Sequence, residues 1–361
     1  MRIEKIAIVD FKNISDEQVV LAEGINCFVG DNGAGKTNIL DAVHYLSLAR
    51  SMHTIADTQS VKHGAEGFII DGSFLCSERR ERVVCSYTRR GGKLLKRNGK
   101  EYDKLSEHVG HFPIVVVAPA DTALISDAAE ERRRYINRLI SQIDRTYLAA
   151  LMRYNGALQE RNKLLKASPA EDMLLIYDGM LGAAADTIYR KRKEAIERML
   201  PLVAHYYALL SEGREEVGIE YRSELHNAPL AEILLACRQK DIVNEHTTAG
   251  VHRDDIAFTI AGYPLRKYGS EGQQKSFLIA LKLAEYALMA EHTGMRPILL
   301  LDDLFDKLDM RRVAQLLKLV GGDDFGQILI TDCNKHRLEH TLGVAEADYK
   351  LFTISDGGIE R

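Results

Sequence analysis

The chain has 361 residues, with 48 Lys plus Arg against 52 Asp plus Glu and a formal charge of -4. It is 46% apolar and 28% charged, too apolar for wholesale disorder. No uninterrupted apolar run is long enough to cross a bilayer, and the first twenty residues carry charges where a signal peptide has its apolar core. Five scattered cysteines form no CxxC pair, which argues against a disulfide framework or a zinc site and for a reducing, cytoplasmic setting. Slight net acidity admits a nucleic-acid partner only through a local basic patch.

In chain order, IEKIAIVDF and the segment around INCFVG are short Ile- and Val-rich runs that predict strands. From Lys36 the pattern turns helical, with Ile39, Leu40, Val43, Leu46 and Leu48 at helical spacing. Residues 61–117 are β-rich again, with turn signals at Gly91-Gly92 and Asn98-Gly99. FPIVVVAP has the continuous apolar character of a fully buried strand. Ile136, Leu139, Ile140, Ile143, Tyr147, Leu151, Leu158 and Leu165 approximate one stripe on a long helix. A second helix is expected from about Met173 to Leu200, ending at Pro201, and a third around Leu230 to Cys237. After about 250 the β/α pattern returns: a hairpin in IAFTIAGYPL, a helix over roughly 272–292, the strand PILLLDD, another helix, the strand QILIT and a final hairpin near 349–360. The expected fold class is α/β, with 1–118 and 249–361 forming one domain from both chain ends and 119–248 inserted as a helical lobe.

Residues 30–37, GDNGAGKT, match G-x-x-x-x-G-K-[ST] between an apolar strand and a helical pattern, the context that motif requires. Gly30, Gly33 and Gly35 let the backbone curl with its N–H groups inward. With Asp31, Asn32, Ala34 and Asn38 they form the expected cradle for a polyphosphate, at the positive end of the following helix. Lys36 would meet the β- and γ-phosphates, and the Thr37 hydroxyl would ligate Mg²⁺. Downstream, PILLLDDLFDKLD ends an apolar strand in two carboxylates. Asp302 is the expected Mg²⁺ holder and Asp303 the group that orients or polarises attacking water. Spacing leaves Asp309 open as a turn or a subunit-contact residue. In YGSEGQQKSFLIALKLAE, Ser270 reads as a helix N-cap, Gly272 as a point of close ligand approach, and the Ser/Gly-rich start as a second phosphate site that also takes in Gln273.

Together GDNGAGKTN, SEGQQ and LLLDDLFDKLD resemble the head domains of ABC-type ATPases. That resemblance implies a P-loop ATPase head in which the signature segment of one subunit caps the γ-phosphate held by another, so that ATP closes a homodimer. The short insert, without a sustained heptad pattern, and the blocks at 118–165, VHRDDIAF and NILDAVHYLSLARS are similar to the RecF family of bacterial recombination mediators. The resemblance then implies an ATP-dependent DNA-binding protein of repair, recombination, replication and the SOS response. Such a protein acts at single-strand gaps with RecR and RecO to load RecA, with weak ATP hydrolysis as a release timer. The chain departs from the family pattern at Val251, usually Pro, and at Asn137, usually Asp. Many ABC ATPases carry Glu and His where Asp303 and Asp332 stand, which leaves the γ-phosphate sensor unassigned; His336 reads as a surface residue.

Four basic clusters stand out: Arg79, Arg80 and Arg82; Arg89 to Lys100; Arg132 to Arg134; and Arg190 to Lys193. The second falls on a predicted hairpin and suits a phosphate backbone, although charge runs are usually solvated faces. No base-reading motif is visible, so DNA contact should be backbone-dominated and salt-sensitive. Two other readings of the phosphate loop are an ABC-type subunit of a transporter, which requires a coupling surface for a membrane partner, and a small-molecule kinase, which leaves SEGQQ unexplained.

Overall fold

The computed structural model describes residues 1–54, 56–167, 171–303, 310–344 and 348–360; Asp309 lies outside them. The strands run β1 Arg2–Phe11, β2 Ile14–Val20, β3 Ile25–Val29, β4 Gly67–Cys76, β5 Arg79–Thr88, β6 Gly92–Arg97, β7 Lys100–Glu101, β8 Ile114–Val117, β9 Val217–Arg222, β10 Asp255–Ile260, β11 Tyr263–Pro264, β12 Ile298–Leu301, β13 Ile328–Asp332, β14 Tyr349–Ser355 and β15 Gly358–Ile359. The helices are α1 Lys36–Leu48, α2 Ala123–Ser126, α3 Ala129–Ile143, α4 Arg145–Lys166, α5 Glu171–Ser211, α6 Leu230–Asn244, α7 Leu265–Tyr268, α8 Glu271–Thr293, α9 Met310–Val320 and α10 Lys335–Val344. They fall into two compact units: Met1–Asp121 with Leu209–Glu212 and Lys282–Arg361, and Thr122–Ala208 with Gly213–Leu281. Residues 249–281, expected with the chain ends, thus pack with the helical segments.

In the first unit a sheet of order β15-β14-β3-β13-β12-β8 carries the site. β3, β8, β12 and β13 are buried at every position, which is why IVVV and ILLL read as continuous apolar runs and INCFV and ILITD are interrupted only by Asn26, Thr331 and Asp332. β8, β12, β13, β3 and β14 are parallel neighbours, so their carboxyl ends share one edge, where ligands of open α/β sheets bind. The second sheet, β2-β1-β4-β5-β6-β7, is antiparallel and supports α1 through the buried rings of Phe11, Tyr45 and Phe68, whose centroids lie 5.2–5.9 Å apart. Its β6–β7 turn pairs Arg97 with Lys100 around Asn98 and Gly99, both at positive φ, the geometry that Asn-Gly favours.

The helical unit corrects four expectations. The long helix is two, α3 and α4, because Asp144 leaves helical geometry and its carboxylate accepts from the N–H groups of Thr146 (2.8 Å) and Tyr147 (3.1 Å). The buried face of α4 is Tyr147, Ala150, Tyr154, Ala157, Arg161 and Leu165, while Leu151 and Leu158 are only half-buried. Arg161 sits in that core by donating to Asp178 and Asp241, each at 2.7 Å, and to Thr247 at 2.8 Å. α5 passes through Pro201 instead of stopping. An interior proline costs about 3 kcal/mol. The buried Val203, Tyr207 and Leu210 continue the apolar face beyond it and offset that cost. The fourth is a strand among the helices: Val217 and Ile219 alternate with more exposed neighbours in β9, which pairs with β10 in the sheet β11-β10-β9.

The two positions that depart from the family pattern meet at one buried side chain of this unit. Arg192 donates to Asn137 Oδ1 at 3.0 Å and to the Val251 carbonyl at 2.7 Å. Its carboxylate partner is Asp254, at 2.6 Å, so the charge that an Asp at 137 would add is not needed there.

Candidate functional site: a phosphate loop and its acidic edge

β3 ends at Val29 and the loop 30–35 leads straight into α1. A Cβ at Gly30 would lie 2.2 Å from the Ile354 carbonyl oxygen, so β14 permits only glycine there. Gly35, at φ 111, is the α1 N-cap, and a Cβ there would lie 2.8 Å from the Asn13 side chain. Asn13 fastens the loop: its Nδ2 donates to the Ala34 carbonyl at 3.2 Å, and its Oδ1 accepts from Asn38 Nδ2 at 2.7 Å. Lys36 is buried, with Nζ donating to the carbonyls of Gly30 (2.7 Å) and Asp31 (2.8 Å). A cleft of about 250 Å³ is lined by Asn32, Gly33, Gly35, Lys36, Thr37, Asn38 and Asp303.

Sheet register brings the acidic residues to this loop. Leu301 of β12 is opposite Ile330 of β13, and Asp332 of β13 is opposite Val29 of β3. One step beyond β12, Asp302 Oδ1 therefore accepts from Thr331 at 2.7 Å and from the Thr37 hydroxyl at 2.8 Å. Thr37 and Asp302 offer a hydroxyl and a carboxylate side by side, hard oxygen donors that fit Mg²⁺. Asp303 turns back at φ 46, a left-handed conformation that costs a non-glycine residue about 1 kcal/mol or more. Its N–H donates to Thr331 Oγ1 at 2.9 Å, so one buried hydroxyl positions both carboxylates.

The signature segment lies in the other unit. Ser270 and Gln273 form a reciprocal cap: the Ser270 N–H donates to Gln273 Oε1 at 2.7 Å, and the Gln273 N–H to Ser270 Oγ at 3.3 Å. Ser270 is exposed and Gly272 half-exposed. The Gln273 amide is already engaged, its Nε2 donating to Glu215 at 2.9 Å. His336 is exposed, and the position after β13's apolar run is filled by Asp332, paired with Arg337 at 2.8 Å.

Most of the basic clusters are spent on ion pairs. Arg80 pairs with Glu4, Arg82 with Asp71, Lys93 with Asp57, Arg97 with Glu81, Arg132 with Asp255, Arg134 with Glu130 and Arg192 with Asp254. Among the described residues Arg79, Arg89, Arg90, Lys96, Lys100, Arg133 and Arg190 have no ion pair; Arg89 and Arg90 are exposed at the β5–β6 turn, with Lys96 and Lys100 on the adjoining β6 and β7. Thr331, Asn13 and Arg337 were not expected from the sequence; only Thr331, closing the apolar QILIT, carries a local signal.

Residues 1–86 match a family model described as an AAA ATPase domain. The DNA replication and repair protein RecF of Bacteroides fragilis (strain YCH46) is 40% identical over 99% of this chain and 98% of its own length. That of Parabacteroides distasonis is 42% identical over 100% and 99%. The chain belongs to the RecF family. A solved structure of the recombination mediator RecF with ATPrS in the RecFOR pathway superposes with a TM-score of 0.89 at 29% identity, covering 99% of this chain and 97% of that one. An Smc head domain derived from Pyrococcus furiosus superposes at 0.59 and 17% identity over 99% and 95%, a likeness of fold alone. The α/β ATPase-head class expected from the motifs is thus the class of the RecF fold. No helix of the described residues is long and apolar enough to cross a membrane.

Proposed function

We propose that this RecF-family chain is a cytoplasmic, ATP-binding protein of DNA replication, recombination and repair, including the SOS response, that closes as a homodimer around ATP. The observation that carries the reading is the Thr37–Asp302–Thr331–Asp303 chain near Lys36, which links two hydroxyls and two carboxylates beside a cleft lined by Lys36, Thr37 and Asp303. Gly30 to Asn38 would cradle the triphosphate with backbone N–H groups, and Lys36 would exchange its two loop carbonyls for phosphate oxygens, a stronger charge-assisted pairing. Thr37 and Asp302 would hold Mg²⁺, which when bound neutralises phosphate charge. Asp303 would orient and polarise the attacking water, and an aspartate in place of the longer glutamate suits slow turnover as a release timer.

The exposed Ser270 and Gly272 would meet the nucleotide of a second copy, with Gln273 acting as the helix cap that presents them. DNA contact, at duplex regions and single-strand gap junctions, would run through backbone phosphates, with Arg89, Arg90, Lys96 and Lys100 the cations of the β-hairpin that show no ion pair among the described residues. RecR, RecO and RecA are the partners that the family reading supplies. The test is Lys36→Ala with gapped DNA. The native chain should retain DNA only with ATP, at an affinity that falls steeply with salt, and the variant should lose both ATP and DNA retention. ATP affinity unchanged in Lys36→Ala would sink the assignment of the loop.

A further inference from the structure

We infer that the acidic edge of the parallel sheet holds a second cation site, separate from the Thr37–Asp302 pair, in which Asp303, Asp332 and Cys333 take one thiophilic divalent ion of the Zn²⁺ class. The three side chains come from the ends of two adjacent parallel strands, β12 and β13, and their donor atoms lie within 4.8 Å of one another. Asp332 is fully buried. Its Oδ1 accepts from the Asn334 N–H at 2.9 Å and from Arg337 at 2.8 Å. Its Oδ2 is buried and accepts no hydrogen bond among the described residues. A buried carboxylate oxygen without a donor, facing a second carboxylate, is costly unless a cation lies between them.

The donor set selects the ion. A sulfur beside two carboxylates suits Zn²⁺ and does not suit Mg²⁺, whose oxygen donors stand separately at Thr37 and Asp302. Zinc ligands at about 2.0–2.3 Å from a tetrahedral centre are roughly 3.5 Å apart. Asp303 and Cys333, both partly exposed, therefore have to swing inward by about an ångström. Asp332 stays where Arg337 holds it, and water takes the fourth position. Binding is not redox: the Cys333 thiol gives its proton to solvent as the S–metal bond forms. The consequence for turnover rests on the function proposed above. With Asp303 engaged by the ion, Zn²⁺ slows hydrolysis while leaving Lys36 and Thr37 to the nucleotide.

The experiment uses the full chain, stripped of metal and free of nucleotide. Zn²⁺ is followed by equilibrium dialysis, and Cd²⁺ serves as a probe through its ultraviolet thiolate-to-metal charge-transfer band. One ion per chain and a thiolate band are expected. Cys333→Ser should abolish the band, and Asp332→Asn should weaken Zn²⁺ binding at least tenfold. Cys76→Ser and Cys237→Ser, at the other partly exposed cysteines, should change neither readout, nor should Lys36→Ala. Absence of the band, or a band that survives Cys333→Ser, would overturn the site. A chain that binds Zn²⁺ but not ATP would instead refute the proposed function and leave the metal site standing.

Discussion

Thr331→Val tests whether one hydroxyl holds the acidic edge together. The side chain is fully buried and makes two bonds at once, donating to Asp302 Oδ1 at 2.7 Å and accepting from the Asp303 N–H at 2.9 Å. Valine keeps the shape and removes both. A lost hydrogen bond to a carboxylate is worth about 1.5–3 kcal/mol, and an orphaned partly buried N–H costs about 1–3 kcal/mol more. Thr37 still donates to Asp302, so the lower half of the summed range applies, roughly 3 kcal/mol. Without its N–H bond, Asp303 loses a restraint on its left-handed turn at φ 46, while the bonds of Asn13 to the phosphate loop are unchanged. Urea unfolding followed by circular dichroism should show the loss of stability at unchanged m-value. Steady-state ATPase assays should show a lower kcat with ATP affinity within a few-fold of native. A destabilisation below about 1 kcal/mol, or a loss confined to ATP affinity, would refute the reasoning.

Arg192→Met should destabilise the chain by about 3–5 kcal/mol, because it leaves Asp254 buried without its charge partner. Adding Asp254→Asn should restore part of that loss in the same unfolding assay, and strictly additive effects would contradict the pairing. His108 is fully buried with a ring nitrogen 2.7 Å from the Leu46 carbonyl, and burial pushes its pKa down to about 4. The folded form therefore binds fewer protons than the unfolded chain between about pH 6.5 and 4, and stability must fall as pH drops through that window. For this group the loss from pH 7 to pH 5 is about 2 kcal/mol, and His108→Gln should flatten the profile by that amount; an unchanged profile would count against it.

What could be read in advance was local. The phosphate loop announces itself because glycine, lysine and threonine must sit at fixed offsets on a single turn, and Asp302-Asp303 because a buried strand ends there. Buried parallel strands were legible as apolar runs for the same reason. Contacts across the fold were not: Asn13 reaches a loop 21 residues away, and Thr331 a carboxylate 29 residues away, through sheet order that no local pattern encodes. The errors in the helical unit each have a competing signal. Asp144 is an N-cap hidden inside an apolar stripe, and Arg161 is a core residue because two carboxylates approach from distant helices. Pro201 was outweighed by the packing that follows it, and VGIEYR was too short for its alternation to stand out between long helices.

In the proposed function two copies grip the triphosphate, one through its phosphate loop and the other through its Ser270 turn. Light scattering on the purified chain with ATP and Mg²⁺ measures this directly. The mass should rise from 40.5 kDa to twice that value, and Ser270→Arg should bind ATP yet stay at the single-chain mass. A nucleotide-saturated native chain that remains at 40.5 kDa, or a Ser270→Arg variant that doubles like the native one, would contradict the account.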